Sequence, residues 1–237
     1  MSRPFHFKQF SVYQDRAPMK VGTDGALLGA WAPIDKVKNI LDVGTGTGLI
    51  ALMLAQRCPN ALITAIEPNK DAALDAADNF ERSSFADRIT LIESTLQDFQ
   101  TDERFDLIVS NPPFFKNSLP APEPGRHMAR HNDTLSHTEL LNATNLLAPS
   151  GLLAGIYPAE LWSVVKKDAL NRGLIIAAEQ PVKPLPEKPP HRVLFAITRE
   201  AVPTAVDISA DFAIETEERH RYTEEFTRLL KPFYLKL

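Results

Sequence analysis

The run NILDVGTGTGLIALMLAQR (39–57) constrains this chain more than any other. It opens as an apolar strand pattern, NILDVG (39–44), and closes as an apolar helix pattern, LIALMLAQR (49–57). Gly44, Gly46 and Gly48 must turn the chain from one to the other. Glycine takes positive φ freely and lets backbone approach a ligand, so this is a tight strand-to-helix turn. The alternation then repeats. ALITAIE (61–67) reads as a strand and KDAALDAADNFERS (70–83) as a helix, followed by the strands RITLIE (88–93) and FDLIVS (105–110). A helix over SHTELLNATNLL (136–147) leads to the strand GLLAGIYP (151–158) and the helix ELWSVVKKDALNRG (160–173). Strands alternating with helices build a parallel sheet covered on both faces. Two β-rich runs, LIIAAEQPV (174–182) and HRVLFAITRE (191–200), flank the proline-dense loop KPLPEKPP (183–190) and read as an antiparallel pair. The fold class is therefore α/β: a doubly wound, mostly parallel, seven-stranded Rossmann-like sheet with an antiparallel last strand pair.

The ends depart from this alternation. FHFKQFSVYQDRAPMKVGTDGALLGAWAP reads as a short hairpin and then a helix from Thr23 to Trp31, capped by Thr23 or Asp24. DISADFAIE and HRYTEEFTRLLKPFYLKL form a tail, the latter partly helical until Pro232. The expected division is an N-terminal hairpin and helix extension (1–35), a central domain (36–200) and a partly helical tail (201–237). At 237 residues, 44% hydrophobic and 24% charged, the chain suits one large domain with such extensions. No apolar run approaches the roughly 18 residues that span a membrane, and MSRPFHFKQF lacks a signal peptide's apolar core. Cys58 is the single cysteine, which leaves out a disulfide framework and a cysteine-cluster metal site. The 6 histidines show no ligand spacing, so no metal is assigned. A cytoplasmic monomer is expected.

In an open α/β sheet, ligands bind beyond the carboxyl ends of the strands. Gly44, Gly46 and Gly48 stand there with G-x-G-x-G spacing, unlike the dinucleotide pattern G-x-G-x-x-G. Asp42, just ahead, can fix the loop or meet the cationic end of a ligand. Glu67 closes the second strand, where a carboxylate can accept both hydrogens of a ribose diol. A glycine turn alone can be structural, and a strand-end glutamate merely solvated. Together they point to an adenosine-containing cofactor, either a dinucleotide or S-adenosylmethionine.

FDLIVSNPPFF (105–115) supplies the third element. Proline donates no ladder hydrogen bond, so the strand stops at Ser110 or Asn111 and opens into a rigid, exposed turn. The order of glycine turn, strand-end acid and NPPF resembles the class I S-adenosylmethionine-dependent methyltransferases, in the branch whose [N/D]-P-P-[Y/F] motif acts on planar amino groups. The resemblance implies S-adenosylmethionine as cofactor, and Asn111, Pro112 and Phe114 as catalytic residues. The Asn111 side-chain oxygen and the Pro112 carbonyl can each accept one amino hydrogen, while Phe114 offers a ring face for a base. Asp42, Gly44, Gly46, Gly48, Glu67, Pro68 and Asn111 are the implied cofactor residues. Many such enzymes add an acidic residue after the third strand. Here IESTLQDF offers Thr95, a backbone group, or Asp98 displaced into the role.

The motif class covers adenine-N6, guanine-N2 and protein-glutamine methyltransferases. FHFKQFSVYQDRAPMKVGTDGALLGAWA and the downstream ARHNDTLSHTELL (129–141) are more specific. They resemble the bacterial methyltransferases of adenine 37 in valine tRNA, over most of the chain. That likeness implies that Lys20, Gly22, Thr23 and Asp24 lie over the cofactor, whereas Met19 reads as packing. It makes an anticodon-loop adenine the substrate, with contacts expected from Pro113, Phe115, Lys116, Arg126 and Arg130. An unpaired adenine costs less to splay into a pocket than one flipped from a duplex. Guanine in ribosomal RNA, glutamine in a release factor, or an inert RNA-binding role are the alternatives. Intact Asn111, Pro112 and Glu67 argue against inertness. With a net charge of -4, the chain must hold an anionic tRNA through clustered cations. Lys8, Arg16 and Lys20 form one candidate group, and Lys116, Arg126 and Arg130 another; solvated surface is the plain alternative.

Overall fold

The computed structural model describes residues 3–113, 135–201, 212–218 and 221–237. An antiparallel hairpin of β1 (Phe5–His6) and β2 (Ser11–Val12) precedes helix α1 (Thr23–Trp31). There follow β3 (Asn39–Val43), α2 (Leu49–Arg57), β4 (Leu62–Ile66), α3 (Lys70–Glu81), β5 (Ile89–Ile92) and β6 (Phe105–Ser110). Beyond them come α4 (His137–Asn142), β7 (Leu147–Pro158), α5 (Ala159–Asn171), β8 (Ile175–Val182), β9 (Arg192–Thr198) and α6 (Glu224–Leu230).

The central sheet has 7 strands in the order β5-β4-β3-β6-β7-β9-β8, parallel except that β9 opposes both its neighbours. The expected architecture is therefore the one found. The chain builds outward from β3 to β5, then returns to lay β6 on the other side of β3. Where strand order reverses, neighbouring connections leave to opposite faces and open a crevice at the carboxyl edge. Val43 pairs with Ser110 at that edge, and with Ile66 on the other side.

Strand periodicity sends successive side chains to opposite faces. Ile40, Leu107 and Val109 enter a core with α1 and α2, while Leu41, Val43 and Ile108 enter a second core with α4 and α5. β6 is buried on both faces, which explains its near-continuous apolar run. Helix α1 adds a further layer against α2. A Cβ at Gly25 would come within 3.2 Å of Leu49 Cδ2, and one at Gly29 within 2.8 Å of Met53 Sδ. Glycines one turn apart thus let the two helices approach closely. The two chain ends join the same core: Phe7, Phe226, Leu230 and Phe233 share it with α1, and the Lys8 amide donates to the Phe233 carbonyl at 2.8 Å.

Two local readings change. The N-cap of α1 is Gly22, with no side-chain cap, rather than Thr23 or Asp24. The Asp24 carboxylate instead accepts from Arg192 Nε at 2.8 Å. The expected helix over 136–147 is shorter: α4 ends at Asn142, a 3-10 turn (Ala143–Leu146) follows, and β7 starts at Leu147. There the Thr144 hydroxyl bonds back to the Leu141 carbonyl at 2.6 Å, a local alternative to helical pairing.

Gly155 of β7 lies opposite Ser110 and Phe195, and an added Cβ would stand 2.5 Å from Phe195 Cζ. That ring stacks on Trp162 at 4.5 Å and on Tyr157 at 5.4 Å, so it has little freedom to move. Gly155→Ala should lower stability by about 1–3 kcal/mol through overpacking. Thermal denaturation measures this, and an unchanged midpoint would mean that the ring can yield.

Candidate active site

A cavity of about 540 Å³ opens at the carboxyl edge of β3, β4 and β6. Its floor is the glycine turn, where the Gly44 and Thr45 amides both donate to the Ile66 carbonyl, at 2.9 and 3.0 Å. The three glycines are not equivalent. All have positive φ, at +71°, +60° and +83° for Gly44, Gly46 and Gly48. A Cβ on Gly48 would overlap the Phe80 ring, so this position is glycine for packing against α3. A Cβ on Gly44 or Gly46 would meet nothing within 4 Å, and both residues line the cavity. They keep room free above the backbone.

Asp42 sits beneath this turn, fully buried and off the cavity wall. Its Oδ2 accepts from Thr45 Oγ1 at 2.6 Å and from the Ala51 amide at 3.2 Å. Of the two roles left open for it, this placement serves to fix the loop. Its Oδ1 has no partner among the described residues. Burial pushes the carboxyl up to about 7, opposed by the Thr45 and Ala51 bonds and reinforced by the charge of Glu67.

Glu67 follows β4, lines the cavity and is only 7% exposed. Its Oε2 accepts from the Gly46 amide at 2.8 Å and its Oε1 from the Asn69 amide at 2.9 Å. Burial raises its pKa while these two bonds lower it. Each oxygen keeps a second lone pair, so the carboxylate can brace the loop and still accept from a ligand.

β6 ends as the sequence requires. The Ser110 hydroxyl donates to the Val43 carbonyl at 2.9 Å, and Asn111, Pro112 and Pro113 leave the sheet along the cavity wall. Asn111 Nδ2 lies 3.7 Å from where a Cβ on Gly25 would stand, which puts the first turn of α1 against the motif. Pro68 and Thr95 also line the cavity. The Thr95 hydroxyl donates to Asp98 Oδ2 at 2.7 Å, and Asp98 itself stays off the wall.

Other expected residues lie elsewhere. Lys20 turns back, its Nζ donating to the carbonyls of Gln14 and Ala17. Thr23 and Asp24 open α1 outside the cavity lining. Among the other N-terminal cations, Lys8 Nζ donates to the Lys231 carbonyl, and Arg16 pairs with Asp75 and Asp78. Phe114, Phe115, Lys116, Arg126 and Arg130 fall outside the described residues. Met19 corrects its reading: it is 54% exposed on the cavity wall rather than packed. Asn69 and Gln97 are further wall residues that sequence reasoning missed. Asn69 had a signal, since an asparagine ahead of KDAALDAADNF is a helix cap, and its side chain accepts from Ala72.

A second cavity of about 380 Å³ lies at the opposite sheet edge, beside Arg172 and Arg199. Arg172 there is held by Asp168 and Asn142, at 3.1 and 2.8 Å. Among the described residues no group of His, Cys, Asp or Glu side chains could hold a metal ion, and no helix is long and apolar enough to cross a membrane.

Residues 21–154 match the family described as Methyltransferase small domain. The chain belongs to that family. Two similar full-length relatives bear the name tRNA1(Val) (adenine(37)-N6)-methyltransferase. That of Parabacteroides distasonis is 47% identical over 241 residues, covering 100% of both chains. That of Trichodesmium erythraeum is 43% identical over 237 residues, covering 98% of each. Among solved structures, a predicted O-methyltransferase from Agrobacterium tumefaciens superposes with a TM-score of 0.66 at 18% identity, over 89% of this chain and 96% of that one, a likeness of fold. The cavity fits the S-adenosylmethionine of this methyltransferase family: an acceptor carboxylate at Glu67 and open space above Gly44 and Gly46 suit a ribose and its neighbouring groups.

The buried Asp42 makes a pH prediction. Its folded pKa of about 7 exceeds the ordinary 3.8, so the folded state keeps a proton that the unfolded chain releases. Stability from this source is complete below the ordinary value and is lost as pH rises through the folded one. Asp42→Asn abolishes the loss, so the variant should gain on the parent as pH climbs from about 4 to about 8. Urea denaturation at stepped pH reads the difference. A gap independent of pH would place the Asp42 ionisation at its ordinary value.

Proposed function

We propose that this protein transfers the methyl group of S-adenosylmethionine to the exocyclic N6 of adenine 37, beside the anticodon of valine tRNA. The full-length likeness at 47% identity to an enzyme so named carries the reading. The placement of Asn111 and Pro112 beside the glycine turn supports it. The setting is the cytoplasm, and a single chain suffices.

The adenine amino group is a weak nucleophile because its lone pair is delocalised into the ring. Asn111 Oδ1 and the Pro112 carbonyl each take one amino hydrogen and hold the nitrogen as it pyramidalises. They gain strength as positive charge develops on that nitrogen, so they favour the transition state over the ground state. Two prolines and the Ser110–Val43 bond restrain the backbone that carries both acceptors, which spares orientation entropy during the reaction. S-adenosylmethionine, when bound, supplies an electrophilic methyl on sulfur. The nitrogen lone pair would take that methyl as the methyl–sulfur bond breaks, its electron pair staying on the sulfur of the departing thioether. The nitrogen would then release one proton to water. Glu67 would accept from the ribose hydroxyls, and Gly44 and Gly46 would leave the cofactor room above their backbone. Phe114 gives the base its stacking surface, and Lys116, Arg126 and Arg130 meet the RNA backbone.

The test supplies labelled cofactor to the protein with valine tRNA, the same tRNA carrying guanine at 37, ribosomal RNA, or release factor. Label should enter only the adenine-bearing tRNA; label in ribosomal RNA or release factor would overturn the assignment. Asn111→Ala should slow single-turnover methylation by about 100-fold, as loss of one pre-placed polar group does in other enzymes. Cofactor affinity should change little. A wild-type rate would remove Asn111 from the chemistry.

A further inference from the structure

The segment Tyr13–Met19 belongs to no strand or helix, yet it is tightly held. The hold comes from Asp75 and Asn79, one turn apart on α3 and only 2% and 1% exposed. Asp75 Oδ2 accepts from the Arg16 and Ala17 amides, at 2.9 and 2.8 Å, and Oδ1 accepts from Arg16 Nη1 at 3.2 Å. Asn79 Oδ1 accepts from the Tyr13 amide at 2.7 Å, while Nδ2 donates to the Tyr13 carbonyl at 2.8 Å and the Thr47 carbonyl at 2.9 Å. Thr47 belongs to the glycine turn, so one side chain joins the segment to the cavity floor. Gln14 Oε1 receives the Val21 amide at 2.7 Å, and the Arg82 guanidinium lies 5.0 Å over the Tyr13 ring.

The Tyr13, Arg16 and Ala17 amides thus turn inward to α3, and Ala17, Pro18 and Met19 stand on the cavity wall. A methionine 54% exposed on a segment fixed by so many bonds is a surface that a ligand can cover. Burying an aspartate is costly unless its oxygens are satisfied, and here the donors come mostly from the segment itself. Neither Asp75 nor Asn79 lines the cavity.

We infer that Ala17, Pro18 and Met19 form a pre-formed apolar roof over the cofactor, that Asp75 and Asn79 are its positioning residues through their hold on Tyr13, Arg16 and Ala17, and that Met19 is covered when S-adenosylmethionine binds. This rests on the cofactor assignment proposed above. The probe is sinefungin, an analogue in which an amine-bearing carbon replaces the methyl-bearing sulfonium, leaving no sulfur to oxidise. In the parent protein, peroxide should convert Met19 to its sulfoxide more slowly as sinefungin occupancy rises, followed by peptide mass spectrometry. Asp75→Ala should weaken sinefungin binding by about 10-fold or more, since hydrogen bonds to a charged acceptor are lost. KM for the cofactor should rise with it, while kcat at saturating cofactor stays near the parent value. Asp75→Asn should recover much of the affinity, because one amide oxygen can still accept from both Arg16 and Ala17. If sinefungin binds the parent but leaves the oxidation rate of Met19 unchanged, the roof is overturned and the cofactor reading stands. Parent-like affinity in folded Asp75→Ala overturns the positioning role. No binding to the parent at all defeats the cofactor reading, and the roof with it.

Discussion

Parallel pairing of β3 with β6 is the constraint from which the site follows. The pairing ends with Val43 opposite Ser110, and the Ser110 hydroxyl bonds the Val43 carbonyl. The glycine turn and the Asn-Pro-Pro turn begin one residue later on adjacent strands. Slipping β6 by one residue would exchange its two faces, moving Leu107 and Val109 out of one core and Ile108 out of the other. The two buried cores therefore fix the register, and the register fixes how far Asn111 stands from the loop. Precision at the site is a product of burial far beneath it.

Helix α3 gathers the remaining parts. Its cap, Asn69, gives its backbone amide to Glu67, its Phe80 ring fills the space that only a glycine at position 48 leaves, and its Asp75 and Asn79 hold the N-terminal segment. One amphipathic helix so touches the strand-end carboxylate, the cavity floor and the segment beside Met19. Its polar inner residues are each matched to backbone donors or acceptors, which is what allows polar groups to lie that deep.

The sheet was legible because its signals are local: alternating periods, proline at strand ends and glycine at a turn each act within a few residues. The same holds for the placement of Gly44, Gly46, Glu67 and Asn111 along one cavity, since their spacing in the chain follows from strand and helix lengths. What escaped notice depends on distant partners. Asp75 and Asn79 look like ordinary polar positions of a helix until Tyr13, Arg16 and Ala17 are folded onto them. Asp24 reads as a cap because Arg192, its partner at 2.8 Å, is far along the chain. Met19 sits beside a proline in a stretch with no period, so neither burial nor exposure could be read from its neighbours. Lys8, Arg16 and Lys20 look like free cations in the sequence, yet each meets an internal acceptor.

The Asn79 side chain has a dynamic consequence. Because it bonds both Tyr13 and Thr47, the N-terminal segment and the glycine turn cannot be displaced independently without stranding one end of a buried amide. Breathing of this region is then a single cooperative opening rather than two loops fraying separately. The Tyr13 amide proton, shielded against Asn79 Oδ1, becomes an internal clock for that opening: its exchange with solvent can be no faster than the rate at which the two sides part.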